Sequence, residues 1–119
     1  MAKVLVVDDE QDIRETLKDI LEKEGYSVEM AGSGTEAISK IDSIKPDLIL
    51  MDVRMPGMNG VDLLKKLREI NEDVPVAMIT AYEDVALAEE ALKLGAYDYI
   101  KKPFDLDYLR ESVLSKVIP

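Results

Sequence analysis

Residues 47–60 read DLILMDVRMPGMNG. Leu48 to Met51 form an unbroken apolar run, and Asp52 follows directly. Such a run reads as a strand buried on both faces, which belongs in a parallel sheet with helices on either side. Pro56, Gly57, Asn59 and Gly60 then make a turn. A strand must stop somewhere and Asp favours turns, so one acid in this place carries little meaning alone. It gains meaning from the other strand ends.

Outward from this stretch the chain alternates. Strand-like runs are KVLVV (3–7), YSVEMA (26–31), LILM (48–51), VAMI (76–79) and YDYI (97–100). Helical spacing joins Ile13, Leu17, Ile20 and Leu21, with Gly25 as a stop, and then Ala37, Ile38, Ile41 and Ile44, ended by Pro46. A third stripe carries Val61, Leu64, Leu67 and Arg68, and a fourth Val85, Ala88, Ala91 and Leu92, with Gly95 after it. The fifth carries Leu106, Leu109, Val113 and Val117, with Asp105 placed to cap it. Strand–helix units with short connections give right-handed parallel crossovers. The predicted fold is a doubly wound α/β domain spanning residues 1–119, with a five-stranded parallel sheet and helices on both faces. Ser27 and Glu29 make the second strand the most polar and place it at an edge, which gives the order 2-1-3-4-5.

Bulk composition narrows the chemistry. The 119 residues hold 47% hydrophobic and 34% charged residues, enough for one cored domain without staples. There is no cysteine and no histidine, which removes disulfides, thiolate chemistry, the commonest general base and the commonest transition-metal ligand. The net charge of −10 speaks against direct contact with nucleic acid and is compatible with bound cations or a basic partner. No apolar run approaches a membrane span and the start is too short for a signal peptide, so the expected location is the cytoplasm.

In a parallel sheet the strand C-termini share one edge, and ligands bind where strand order reverses. Asp8 and Asp9 follow the first strand, Asp52 the third, Thr80 the fourth, and Lys101, Lys102 and Pro103 the fifth. Carboxylates about 5 Å apart repel by a few kcal/mol per pair at an effective dielectric near 20. They can protonate, pair with Lys102 or hold a cation. An all-oxygen donor set selects a hard cation, and a shallow site with few carboxylates favours Mg²⁺ that keeps waters and is completed by phosphate oxygens. A carboxylate beside Mg²⁺, an ammonium and a hydroxyl is equipped to accept a phosphoryl group: the metal and Lys102 neutralise its oxygens, and Thr80 donates to another. Asp52, on the central strand, is the predicted nucleophile. The turn after it lets a backbone carbonyl, that of Arg54, reach the metal.

The motifs VVDDE (6–10), LILMDVRMPGMNG (48–60), MITA (78–81) and YIKKPF (99–104) together resemble the receiver domain of bacterial two-component and phosphorelay response regulators over the whole chain. MITAYED and KPFDLD are similar to phrases of single-domain sporulation phosphorelay regulators and of receivers of enhancer-binding activators. The resemblance implies a signalling phosphoacceptor, catalysing only its own phosphorylation and dephosphorylation. It implies Asp52 as acceptor, Asp9 as direct Mg²⁺ ligand, Asp8 acting mostly through water, and the Arg54 carbonyl completing the ligands. It further implies Thr80 and Tyr99 as a switch pair, Lys102 as the phosphoryl-binding lysine, and Arg54 and Tyr82 as residues that tune the phosphoryl lifetime. Tyr99 reads equally as filler of a strand face. The implied partners are a sensor histidine kinase or histidine phosphotransferase and a downstream effector protein. A free-standing messenger is the first reading, although a segment of a longer regulator would look the same.

With no histidine of its own, the chain needs a donor on a partner. Ile13, Pro103 and Phe104 gather at the same rim and are predicted as the apolar centre of its docking face. Ile13 and Phe104 read alternatively as core. Other functions compete. GSGTEA (32–37) satisfies the dinucleotide pattern G-x-G-x-x-A, with Asp52 about 20 residues on, but it follows the edge strand and leaves Asp8, Asp9, Thr80 and Lys102 unexplained. A flavin-binding domain conflicts with the acidic loop DDEQD after the first strand. A phosphatase with a D-x-D motif lacks its second acid, since Arg54 stands there. A receiver-like interaction module without phosphorylation is the remaining alternative, and such modules usually lack part of the acid set.

Overall fold

The computed structural model describes residues 2–55, 57, 59–70, 73–80, 85–101 and 106–114, with the main chain alone at 80, 85, 88, 106, 112 and 113. Among them, β1 (Lys3–Val7), β2 (Ser27–Ala31), β3 (Leu48–Asp52), β4 (Val76–Thr80) and β5 (Asp98–Lys101) form one sheet. Every ladder is parallel and the order is the predicted β2-β1-β3-β4-β5. All five residues of β3 are buried, while β2 at the edge buries only Ala31. This contrast is what an interior strand covered on both faces and a half-covered edge strand require.

Helices α1 (Gln11–Lys23), α2 (Gly34–Ile44), α3 (Gly60–Ile70), α4 (Val85–Lys93) and α5 (Leu106–Tyr108) connect and flank the strands, and α5 runs on as a π-helix over Leu109–Leu114. Strand alternation divides the core in two. Val4, Val6, Leu48, Leu50 and Ile79 pack with Leu17 and Leu21 of α1 and with Leu109 and Leu114. Leu5, Val7, Ile49, Met51 and Met78 pack under α2, α3 and α4. Each fully buried Leu or Ile contributes about 1.5–3 kcal/mol by leaving water, so the two layers hold the sheet rigid and with it the strand ends.

The helix stops follow local chemistry. Gly25 takes φ +95° after α1, and its amide donates to the Glu22 carbonyl. Pro46 was the expected end of α2, but the reversal is made one residue earlier by Lys45, at φ 52°. Proline disfavours the right-handed helical region for the residue before it, so Pro46 acts through Lys45. At the other end of α2, Ser33 Oγ accepts the Glu36 amide at 3.1 Å, a cap of about 1 kcal/mol. The glycine-rich GSG stretch therefore starts a helix beside the edge strand, away from the switch point.

In the last helix Leu109 of the predicted stripe is buried, while the side chains of Leu106 and Val113 lie outside the described parts. Among the described side chains of this segment, Leu109 and Leu114, five positions apart, are buried. The i→i+5 winding of a π-helix brings such residues toward one face, whereas the expected spacing from Leu109 to Val113 assumed an α-helix. Val117 and the predicted cap Asp105 lie outside the described residues.

Candidate acidic site at the strand ends

The register of β1 and β3 pairs Val6 with Leu50 and Val7 with Met51. One step further on, Asp8 and Asp52 stand level on neighbouring strands, on the face shared by Val6 and Leu50. An oxygen from each of Asp8, Asp9 and Asp52 lies within 4.8 Å of the others. Asp8 and Asp52 are buried, and Asp9 is exposed at the mouth.

Each acid is held by the elements around it. The Asp8 amide donates to Ala31 at the end of β2 over 3.1 Å. Asp8 Oδ1 accepts the Glu10 amide at 2.9 Å, closing the turn into α1. Asp52 Oδ1 accepts the Arg54 amide at 3.1 Å, and the Val53 amide donates to Ile79 of β4 at 3.0 Å. Val53 and Met55 are buried and leave Arg54 exposed between them. Asn59 caps α3 by accepting the Asp62 amide at 2.9 Å, so it serves as an N-cap as well as a turn residue.

Gly60 lets α3 approach this loop. A Cβ there would stand 2.5 Å from the Asp52 carbonyl oxygen and 2.7 Å from Met78 Cε. The Gly60 amide donates to the Val53 carbonyl at 2.6 Å. This contact was missed in the sequence, where Gly60 reads as a turn former; a glycine directly after an Asx cap is the signal that could have pointed to it.

Of the other predicted residues, Thr80 ends β4 and pairs with Lys101 across the ladder to β5, placing its main chain at the same edge. Its side chain lies outside the described parts, as do Lys102, Pro103, Phe104 and Tyr82. Tyr99 lies one step before Ile100 on β5, half-buried against the core layer under α2–α4. Ile13 is half-buried at the margin of the opposite layer, which joins the rim and core readings of that residue.

The donor set fits a hard divalent cation. It consists of carboxylate oxygens, charged and clustered, and two oxygens bound directly to Mg²⁺ stand no more than about 4.2 Å apart. All three acids offer an oxygen within 4.8 Å of the others, close enough to share one cation directly or through its waters. Asp8, Asp9 and Asp52 are the residues to hold it.

Fold and site together define a doubly wound α/β domain with an oxygen-donor rim at its topological switch point. Residues 4–114 match the family model for the response regulator receiver domain, and the chain belongs to that family of two-component signalling proteins. It is 38% identical over 117 residues to sporulation initiation phosphotransferase F of Bacillus subtilis (strain 168), covering 98% of this chain and 94% of that protein. It is 43% identical over 107 residues to the regulatory protein AtoC of Escherichia coli (strain K12), covering 90% of this chain and 23% of AtoC. A solved response regulator receiver domain protein from Clostridium thermocellum superposes with a TM-score of 0.93 at 32% identity, covering 99% of this chain and 94% of that one. No helix among the described residues is long and apolar enough to cross a membrane.

Proposed function

We propose that the chain works as one receiver unit in the cytoplasm, taking a phosphoryl group on Asp52 from a phosphohistidine of a sensor kinase or histidine phosphotransferase and passing the signal to an effector protein. One observation carries this reading: a buried carboxylate on the central strand stands level with a second and within 4.8 Å of a third, in a member of the receiver family. An Asp52 oxygen attacks phosphorus in line. The P–O bond forms as the P–N bond breaks, and the imidazole leaves with the electron pair and takes up a proton.

Bound Mg²⁺ would neutralise charge on the phosphoryl oxygens. Asp9, Asp52 and the Arg54 carbonyl are assigned as its direct ligands, with Asp8 acting through water. Burial of Asp52 excludes water from the side of attack opposite the donor, and the Arg54 amide orients its carboxylate. Lys102 and Thr80 are assigned to the phosphoryl oxygens, Thr80 and Tyr99 to the conformational response, and Arg54 and Tyr82 to the lifetime of the acyl phosphate. The test is intact-mass analysis after incubation with acetyl phosphate and Mg²⁺. One added phosphoryl group is expected on the wild type and none on Asp52→Ala; equal labelling of that variant would reject Asp52.

Ile13, Pro103 and Phe104 are assigned to the docking face for the histidine donor. The half-buried position of Ile13 supports this. Ile13→Ala should slow transfer from a phosphohistidine donor far more than labelling by acetyl phosphate. If both slow together and the melting temperature falls, Ile13 is core.

A further inference from the structure

Arg14 has no part in the function described so far. It sits half-buried in the first turns of α1, and its Nη1 donates to the main-chain carbonyl of Asp8 over 2.7 Å. That carbonyl belongs to the peptide that joins Asp8 to Asp9. Asp8 is already held by the Ala31 carbonyl and the Glu10 amide. Asp9 is the exposed acid, beyond the end of β1. The plane of its preceding peptide, with the torsions of Asp9 itself, sets where its carboxylate stands, and Arg14 is bonded to that peptide.

The guanidinium has a built seat. It crosses Gly32, where a Cβ would come within 3.2 Å of Arg14 Nη1. The loop beneath is itself tied down. Glu36 Oε1 accepts the Gly32 amide at 2.8 Å, and Lys40 Nζ bridges Glu36 Oε2 at 2.8 Å and the Met30 carbonyl at 2.9 Å. A rigid floor and a planar donor leave the Asp8–Asp9 peptide little freedom.

We infer that Arg14 is a positioning residue for the cation site: it clamps the Asp8–Asp9 peptide from the far side and so sets Asp9 for the metal. The inference rests on the cation reading of the acid cluster. Its sign separates it from plain electrostatics. Removing a positive charge near three carboxylates would by itself tighten cation binding, whereas releasing the clamp weakens it.

The experiment is calorimetric titration of Mg²⁺ into wild type, Arg14→Met and Gly32→Ala, with thermal melts in chelator. Methionine keeps much of the apolar stem and removes the donor. Gly32→Ala keeps the charge and presses on the guanidinium, which must give by a few tenths of an ångström. Arg14→Met is expected to raise the Mg²⁺ Kd about tenfold, Gly32→Ala to raise it by a smaller factor, and saturating Mg²⁺ to restore acetyl phosphate labelling in both. If the wild type binds Mg²⁺ and Arg14→Met binds it equally or more tightly, the positioning role is overturned and the cation site stands. If Arg14→Met melts well below wild type, the titrations are run below its melting onset, and an unchanged Kd there overturns the role. If the wild type itself binds no Mg²⁺, the cation reading and this inference fall together.

Discussion

Gly60 has its Cα so close to Asp52 that a methyl group on it would sit 2.5 Å from the Asp52 carbonyl oxygen. The main chain of the predicted acceptor and the start of α3 thus touch directly. Gly60→Ala should gain a little helix propensity and lose more, because backbone and Met78 must give way. We expect a net loss of about 1–3 kcal/mol in urea denaturation, with slower acetyl phosphate labelling of Asp52. A variant as stable as the wild type would show that α3 can back away at no cost.

The acid cluster should work against the fold when no cation is present. Asp9 is exposed, so its repulsion by Asp8 and Asp52 is screened and on the order of 1 kcal/mol. Asp9→Asn removes one charge and keeps the shape. In chelator its melting temperature should rise by about 4 °C, and added Mg²⁺ should stabilise it less than the wild type. A lower melting temperature in chelator would show that Asp9 makes a compensating contact.

Arg68 ties the opposite edge of the sheet together. Its Nη1 donates to the Val74 carbonyl at 2.7 Å and its Nη2 to the Gly95 carbonyl at 2.9 Å, joining α3 to the start of β4 and to the turn before β5. Burial pulls its pKa below the ordinary guanidinium value, opposed by the nearby Asp73. Arg68→Met leaves two carbonyls without this donor and should cost about 1–3 kcal/mol. Arg68→Lys can reach one carbonyl at a time and should recover part of the loss. Denaturant midpoints of the three proteins decide this, and equal midpoints for the methionine and lysine variants would exclude a hydrogen-bonding role.

Tyr108 gives the protein an alkaline signature. Its hydroxyl donates to Asp98 Oδ2, and its pKa is raised to about 12, first by that bond, then by burial and by the Asp98 charge. A folded pKa above the unfolded one means that the stabilisation is complete below the unfolded value, near 10. It is lost as pH climbs toward about 12. Tyrosinate absorbance should therefore show one late step that disappears in Tyr108→Phe. The stability difference between the two proteins should stay constant below about pH 10 and shrink above it. A constant difference throughout would refute the bond.

Much of this was legible in the residue order. The run from Leu48 to Met51, the polar second strand and the alternation of strand and helix were enough to order the sheet. They also put Asp8, Asp9 and Asp52 at one edge, because hydrophobic period reports which faces are covered. What periodicity reports is local, and the less local features were missed. The π winding of the last helix goes with the packing of Leu114 against the core formed with β1, β3, β4 and β5. The stripe position of Arg68 read as part of an apolar face, and its carbonyl partners lie 6 and 27 residues away.

The sequence by itself determined the element types, the sheet order and the chemical character of the rim, since these follow from spacing, turn residues and the kinds of side chain at strand ends. Only the tertiary structure decided that Asp8 stands level with Asp52, that Arg14 holds the peptide before Asp9, and that Gly60 lies against the Asp52 main chain. These depend on the step at which two strands pair and on how far a side chain reaches across a gap. A slip of one residue would turn Asp8 and Asp52 to opposite faces without changing a letter of the sequence. The register is set by the packing of Val6 and Leu50 under α1 and of Val7 and Met51 under α2 and α3. The geometry of the acid cluster is thus a consequence of how the core closes.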